Sequence, residues 1–282
     1  MNDYNVTIVV TRHNEPDWLV EKMLQSLSVQ KNITAEILFF DHIFSKNIED
    51  MCIKLSTDQL FFSYRPIKKM PTSQARNLML ESVQTRYFLM LDADEIVDDQ
   101  WASALLSVLQ TTDASIVGGP YQLLWHRKPP FFMRATRIAM QYSNFYLPPG
   151  TYEVDYVATG NFGLDMTRVP KSLKFRENLG HHGKKTLGTE DTVFCLDAKK
   201  IGLKVYYTDR ARIFHYVLPS RMNYQFIAKK LFYTGYASIF FQGSKNSIYR
   251  IKRNIWDFIF YPFIYGPLFI GRMWGRIVKF RG

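Results

Sequence analysis

Tyr87-Phe88-Leu89-Met90-Leu91-Asp92-Ala93-Asp94-Glu95 is the stretch from which the rest of the chain is read. Its five apolar residues read as a buried strand, and two aspartates one residue apart follow at once. In extended chain, residues i and i+2 point to the same side, so Asp92 and Asp94 present their carboxylates together. In open α/β sheets the carboxyl ends of the strands are where ligands bind, so acids placed there call for an explanation.

Upstream, the same grammar repeats. Val6 to Thr11 and Ile37 to Phe40 read as buried strands and Leu60 to Tyr64 as another, which makes Tyr87 to Leu91 the fourth. Between them, Trp18, Leu19, Met23, Leu24 and Leu27 recur at helical spacing behind Pro16, Asn47 to Leu55 reads as a helix, and Thr72 to Ser82 reads as a helix opened by a Thr or Ser cap. Downstream, a helix over Asp99 to Gln110 and a strand over Ser115 to Gly118 continue the series. Such alternation predicts an α/β fold of parallel βαβ units. Asp41, directly after Phe39 and Phe40, is a second acid at a strand end.

Neither a G-x-x-x-x-G-K-[ST] loop nor a G-x-G-x-x-G turn follows the first strand, so a phosphate needs another device. Asp92 and Asp94 offer one. Hard carboxylate oxygens suit Mg²⁺ or Mn²⁺, which completes its shell with waters and diphosphate oxygens. Taken alone, the same residues are also an acidic turn with a helix cap.

The net charge of +11 is unevenly placed. From Tyr216 onward eleven lysines and arginines face a single acid, Asp257, and 17 of the 44 aromatic residues lie between Tyr224 and Phe280, which sets a boundary near residue 216. Phe258 to Gly271 is uncharged and flanked by Arg250-Ile251-Lys252-Arg253 and by Arg272, Arg276, Lys279 and Arg281. Aromatics beside basic residues suit a membrane interface with anionic lipids. Fourteen residues of helix reach only about 21 Å against a hydrocarbon core of roughly 30 Å, and Pro262 and Pro267 are expected to interrupt it, so the segment is read as lying on a membrane rather than crossing it. Cys52 and Cys195 make no disulfide framework, and the first thirty residues carry no basic leader. The expected place is the cytoplasm, peripheral on the inner face of a membrane.

The motifs fall in one order: Thr11-Arg12-His13-Asn14-Glu15, Asp41, Gln74-Ala75-Arg76-Asn77, Asp92-Ala93-Asp94, Thr159-Gly160-Asn161-Phe162, Gly188-Thr189-Glu190-Asp191, and Ala211-Arg212-Ile213-Phe214-His215. In that order they resemble glycosyltransferase family 2 over about residues 5 to 240. The resemblance implies a GT-A fold, a Rossmann-like and mostly parallel sheet flanked by helices, here with a basic, aromatic, helical tail. It implies an inverting, metal-dependent transfer from a nucleotide-diphosphate sugar, UDP-linked by preference, to a glycan or lipid-linked acceptor in envelope or surface polysaccharide synthesis.

Residue by residue, the resemblance places the donor on Thr11, Asn14, Glu15, Asp41, Arg76, Asp92, Ala93 and Asp94, with Asp41 at the base or ribose. Mn²⁺ or Mg²⁺ falls to Asp94, Asp92 and His215. Asp191 becomes the general base with Glu190 beside it, in the first turn of a helix expected to bury Val193, Phe194, Ala198 and Ile201. Gly160 and Asn161 take the acceptor side. Asp41-His42-Ile43-Phe44 departs from the family, where a second acid and a Gly-Ser are usual. Residues 1–119 would form the nucleotide-sugar half, 120–215 the acceptor and catalytic half, and 216–282 the membrane-interface tail, in which 245–282 meet an anionic membrane surface. His181 and His182 read as loop.

Two rival readings remain at this point. Basic residues interleaved with aromatics also describe a single-stranded nucleic-acid binder, and the fold could serve as an inactive membrane-bound scaffold. Retention of Asp92, Asp94 and Asp191 favours the enzyme, with no nucleic acid expected.

Overall fold

The computed structural model describes residues 4–136, 142, 147–182, 185–237 and 261–281. Its central sheet has eight strands in the order β3-β2-β1-β4-β9-β6-β12-β8. β1 (Val6–Arg12), β2 (Ala35–Asp41), β3 (Leu60–Pro66) and β4 (Tyr87–Asp92) run parallel, as do β6 (Ile116–Gly118) and β12 (Val205–Thr208). The expected α/β, mostly parallel architecture is therefore present. β9 (Asn161–Asp165) enters antiparallel between β4 and β6, and β8 (Thr151–Glu153) pairs antiparallel with β12. Strands from 120–215 thus share one sheet with those from 1–119.

Both faces of the inner strands β1, β2 and β4 are buried, which is why they read as largely apolar runs. Ile8, Val10, Leu89 and Leu91 point to one face and pack against α1 (Asp17–Ser28), α2 (Lys46–Leu55) and α4 (Trp101–Thr111); Val9, Phe88 and Met90 point to the other, against α3 (Thr72–Ser82) and α6 (Glu190–Lys200). Register follows from this two-sided burial, since a slip of one residue would exchange the two faces. It sets Arg12 against Asp41 and Thr11 against Asp92 at the carboxyl ends.

A second sheet carries the other half of the site. β5 (Glu95–Val97), β13 (Ile213–Val217) and β7 (Tyr121–Trp125) form it, with β13 in the middle and His215 paired with Glu95. A five-residue helix, α5 (Phe131–Ala135), follows β7, and the turn Pro219–Arg221 leads from β13 into α7 (Tyr224–Ala237). The last described element is α8 (Tyr261–Arg281).

Several expectations need correction. Pro71, not a Thr or Ser side chain, precedes α3; the Ser73 hydroxyl instead donates to the Leu179 carbonyl at 2.8 Å. Ile201 is exposed because it follows the last turn of α6 rather than lying on its inner face. β10 (Gly180–His182) pairs antiparallel with β11 (Lys185–Leu187), where a loop was expected at His181 and His182.

The prolines do not break α8. Pro262 lies in its first turn, where no backbone donor is needed. Pro267 lies inside it and frees the carbonyl of Phe263, which accepts instead from the Tyr224 hydroxyl of α7 at 3.2 Å. α7 and α8 pack backbone against backbone: a methyl group on Gly235 would strike the Leu268 carbonyl, and one on Gly271 the Phe232 carbonyl. Residues 250–253, read as a membrane-facing basic cluster, lie outside the described residues.

Candidate active site

At the carboxyl ends of β1 and β4 a cleft of about 450 Å³ opens. Thr11, Glu15, Arg76, Asp92, Ala93, Asp94, Gly160, Glu190, Asp191 and His215 line it, so ten sequence-assigned positions from six separate stretches converge. Three do not reach it. Asn14 is exposed, and its backbone N–H donates to Glu15 Oε2 at 3.1 Å. Asp41 is fully buried, accepting from the Tyr64 hydroxyl at 2.8 Å, the Ile43 amide at 2.8 Å and Arg12 Nη1 at 3.3 Å. Asn161 is a buried strut that accepts from Trp101 Nε1 at 2.8 Å and donates to the Ala211 carbonyl at 2.7 Å.

One wall is acidic. The turn after β4 folds back so that Glu95 Oε2 accepts the Asp92 amide at 2.9 Å. Burial, and then the charges of Asp92 and Asp94, push the Glu95 carboxyl well above its ordinary range. A methyl on Gly160 would fall onto the Glu95 carboxylate, which would have to move. Burial also raises Asp92, to about 6, against the opposing pull of Arg76 3.8 Å away. Asp94 goes the other way. Burial alone would raise it, but Arg221 and then His215 outweigh that and hold its carboxyl well below the usual range.

The opposite wall is the start of α6. Burial and the neighbouring Glu190 raise Asp191 to about 6, while its Oδ1 accepts the Thr192 amide at 2.7 Å. Thr189, just before the helix, is held at φ 94°, a left-handed conformation that costs a non-glycine residue about 1–3 kcal/mol. Its hydroxyl, the second oxygen of Glu190 and the Tyr121 hydroxyl are buried without a hydrogen-bond partner among the described residues. Unsatisfied groups of this kind are expensive, and they cluster where a ligand supplies the missing partners. Arg76 joins the walls, paired closely with Glu190 and more loosely with Asp92.

No three His, Cys, Asp or Glu side chains among the described residues form a ready-made metal cage. Asp94 and His215 do meet, with His215 Nε2 3.5 Å from Asp94 Oδ2. His215 Nδ1 lies 2.7 Å from the Tyr142 carbonyl. A carbonyl only accepts, so Nδ1 carries the hydrogen and Nε2 is left to face the carboxylate, an arrangement typical of a metal-binding imidazole. One carboxylate and one imidazole, with the rest of the shell open, fit a divalent ion that also binds a diphosphate.

Sequence reasoning missed Glu95, Tyr121, Arg221, Lys230 and Thr234, which also line the cleft. Glu95 adjoins the aspartates and could have been included on that ground. Arg221 pairs with Asp94 across 127 positions, and nothing local marks it. Lys230, on α7, is pushed down to about 8 by burial and then by Arg221.

The architecture defines a class before it defines a family. S. aureus TarS 1-349, solved in complex with UDP, superimposes with a TM-score of 0.56 at 13% identity over 94% of this chain and 80% of that one. GalNAc-T7, solved with UDP, GalNAc and Mn²⁺, gives 0.58 at 13% over 83% and 50%. The fold is GT-A. The chain belongs to glycosyl transferase family 2, whose family model matches residues 7–154. Among curated proteins, the succinoglycan biosynthesis protein ExoM of Rhizobium meliloti (strain 1021) is 26% identical over 167 residues, 58% of this chain. The chain spans about half the length of that relative.

Proposed function

We propose that the protein is an inverting glycosyltransferase that moves a sugar from a UDP-linked donor to a glycan or lipid-linked hydroxyl in surface polysaccharide synthesis. The observation that carries this reading is that Asp94 and His215, 3.5 Å apart, line the same cleft as Asp191. The UDP present in TarS and GalNAc-T7, and the succinoglycan role of ExoM, support the donor and the pathway class.

The chain's own residues divide the work. Asp94 and His215 would hold a divalent ion, Mn²⁺ or Mg²⁺, with Asp92 beside them on the donor side. When bound, the ion neutralises charge growing on the leaving diphosphate. Asp191, ionised above about pH 6, takes the proton of the acceptor hydroxyl as it attacks. Arg76 keeps Glu190 and Asp92 at a fixed separation, so base and donor wall stay in register. Attack from the Asp191 side on a sugar whose leaving group faces Asp94 is a single in-line displacement. It inverts the anomeric centre, and α-linked donors give β-glycosides.

α8 supplies the membrane part of the proposal. No helix among the described residues is long and apolar enough to cross a membrane. Yet Phe269, Ile270, Trp274 and Ile277 are exposed on α8, with Arg272 and Arg276 between them. Aromatic and aliphatic side chains interleaved with arginine suit the headgroup region of an anionic leaflet.

A thermal-shift series with UDP, GDP and CDP, each with and without Mn²⁺, tests the core of the reading. UDP with Mn²⁺ should give the largest rise, about 2.7 kcal/mol of added stability at 100 times its dissociation constant. Asp94→Asn should lose the Mn²⁺-dependent part of that rise while keeping the wild-type fold. Equal shifts in both proteins would remove Asp94 from the metal site.

A further inference from the structure

The turn Pro219–Arg221 places a guanidinium in the middle of the acidic wall. Arg221 Nη1 lies 2.6 Å from Asp94 Oδ2, and Nη2 lies 3.6 Å from Glu15 Oε1. The Asp94 oxygen that Arg221 holds is the one that faces His215 Nε2. A divalent ion would bind such an oxygen at about 2.1 Å. Ion and guanidinium would then share one atom, and two cations that close repel strongly in a cleft walled by protein. Lys230 lines the same cleft and adds a further positive charge. Metal arriving alone must therefore either displace Arg221 from Asp94 or stay out.

A diphosphate changes that balance. It brings negative oxygens into the cleft, and a guanidinium bonds phosphate oxygens in the same forked geometry that it uses for a carboxylate. The backbone of Arg221 is fixed by its place between β13 and α7 and by the Tyr142 hydroxyl, which donates to its carbonyl. The long side chain can therefore swing while its root stays in place. Resting on the metal-dependent reading above, we propose that Arg221 is a resident counter-cation at the metal position. It holds Asp94 while nucleotide is absent, and it transfers to the diphosphate when metal and donor arrive together. Metal and nucleotide then bind cooperatively, and each raises the affinity of the other by the same factor.

The test is direct Mn²⁺ binding, read by the electron paramagnetic resonance of free Mn²⁺ with and without saturating UDP, on wild type, Arg221→Met and Arg221→Lys. Wild type should bind Mn²⁺ at least ten-fold more tightly with UDP than without. Arg221→Met should bind Mn²⁺ alone at least ten-fold more tightly than wild type and gain correspondingly less from UDP. Arg221→Lys keeps the charge on a shorter, unforked side chain; it should fall between the two, and it decides the question if the methionine variant loses its native circular dichroism. If Mn²⁺ binds all three proteins with UDP, and both variants match wild type within two-fold without it, the counter-cation role is overturned and the metal site stands. Absence of Mn²⁺ binding to every protein, even with UDP, would overturn both.

Discussion

In the cleft, Asp92, Asp94, Glu95, Glu190 and Asp191 are gathered where burial penalises charge; on α8, Phe269, Ile270 and Trp274 face outward, where water penalises apolar surface. The two regions also differ in what holds them. The acidic wall hangs from β4, buried on both faces and paired on both edges, so its carboxylates have no route to water except through the cleft. The α7–α8 pair rests on close glycine contacts and covers the cleft from the other side through Lys230 and Thr234. Each region carries a cost that folding alone does not offset, and the ligands proposed above would remove it: cations and a diphosphate in one case, a lipid surface in the other. A rigid frame suits the first, since reacting groups need fixed separations. A surface contact needs area more than precision.

The cleft side of this contrast breaks most sharply at Asp191. Asp191→Asn should leave donor binding intact and lower transfer by roughly 10² to 10⁴, measured as labelled product per unit time. The acid limb of the wild-type kcat/KM profile should lie near pH 6, since Asp191 is protonated and idle below that value. Stability should move oppositely. A carboxyl raised from 3.8 to about 6 by burial costs the folded state nothing below about pH 4 and its full penalty above about pH 6. Asp191→Asn should therefore unfold at a higher temperature than wild type at pH 7, and the gap should close toward pH 4. No gap at pH 7 would mean that the carboxylate is not under strain in the fold.

Next in size is Gly160→Ala. The added methyl meets the Glu95 carboxylate, which must move and give up its hold on the Asp92 amide, at about 1–3 kcal/mol in chemical denaturation and with weaker UDP binding. A neutral result would show the acidic wall to be softer than its buried strand suggests. The smallest effect on folding belongs to the outer face of α8. Trp274→Ser with Ile277→Ser should stay within about 0.5 kcal/mol of wild-type stability, yet reduce sedimentation with anionic vesicles several-fold. Unchanged sedimentation would leave that apolar face without a role at membranes.

How much of this was legible before the structure depends on the range of the interaction. β1, β2 and β4 were readable because burial on both faces forces an apolar run, and the aspartates after β4 stood out against it. α8 was misread as broken because the rescue of its freed carbonyl comes from Tyr224, 39 positions away. The pairing of Arg221 with Asp94 leaves no trace in local pattern for the same reason. Asp41 was visible as an acid at a strand end, but sequence does not show that Arg12 and Tyr64 already occupy its oxygens.

The glycine contacts between α7 and α8 leave no cushion of side chains to compress, so the pair is packed as one close bracket. Lys230 projects from one arm into the cleft, and Trp274 projects from the other arm outward. If α8 docks on a lipid surface as proposed, that bracket would act as a spacer that fixes the standing height of Asp191 above the lipid. A spacer of constant height would select acceptors by reach: those whose hydroxyl stands too near the bilayer, or too far beyond it, would miss Asp191 however well their sugar fits.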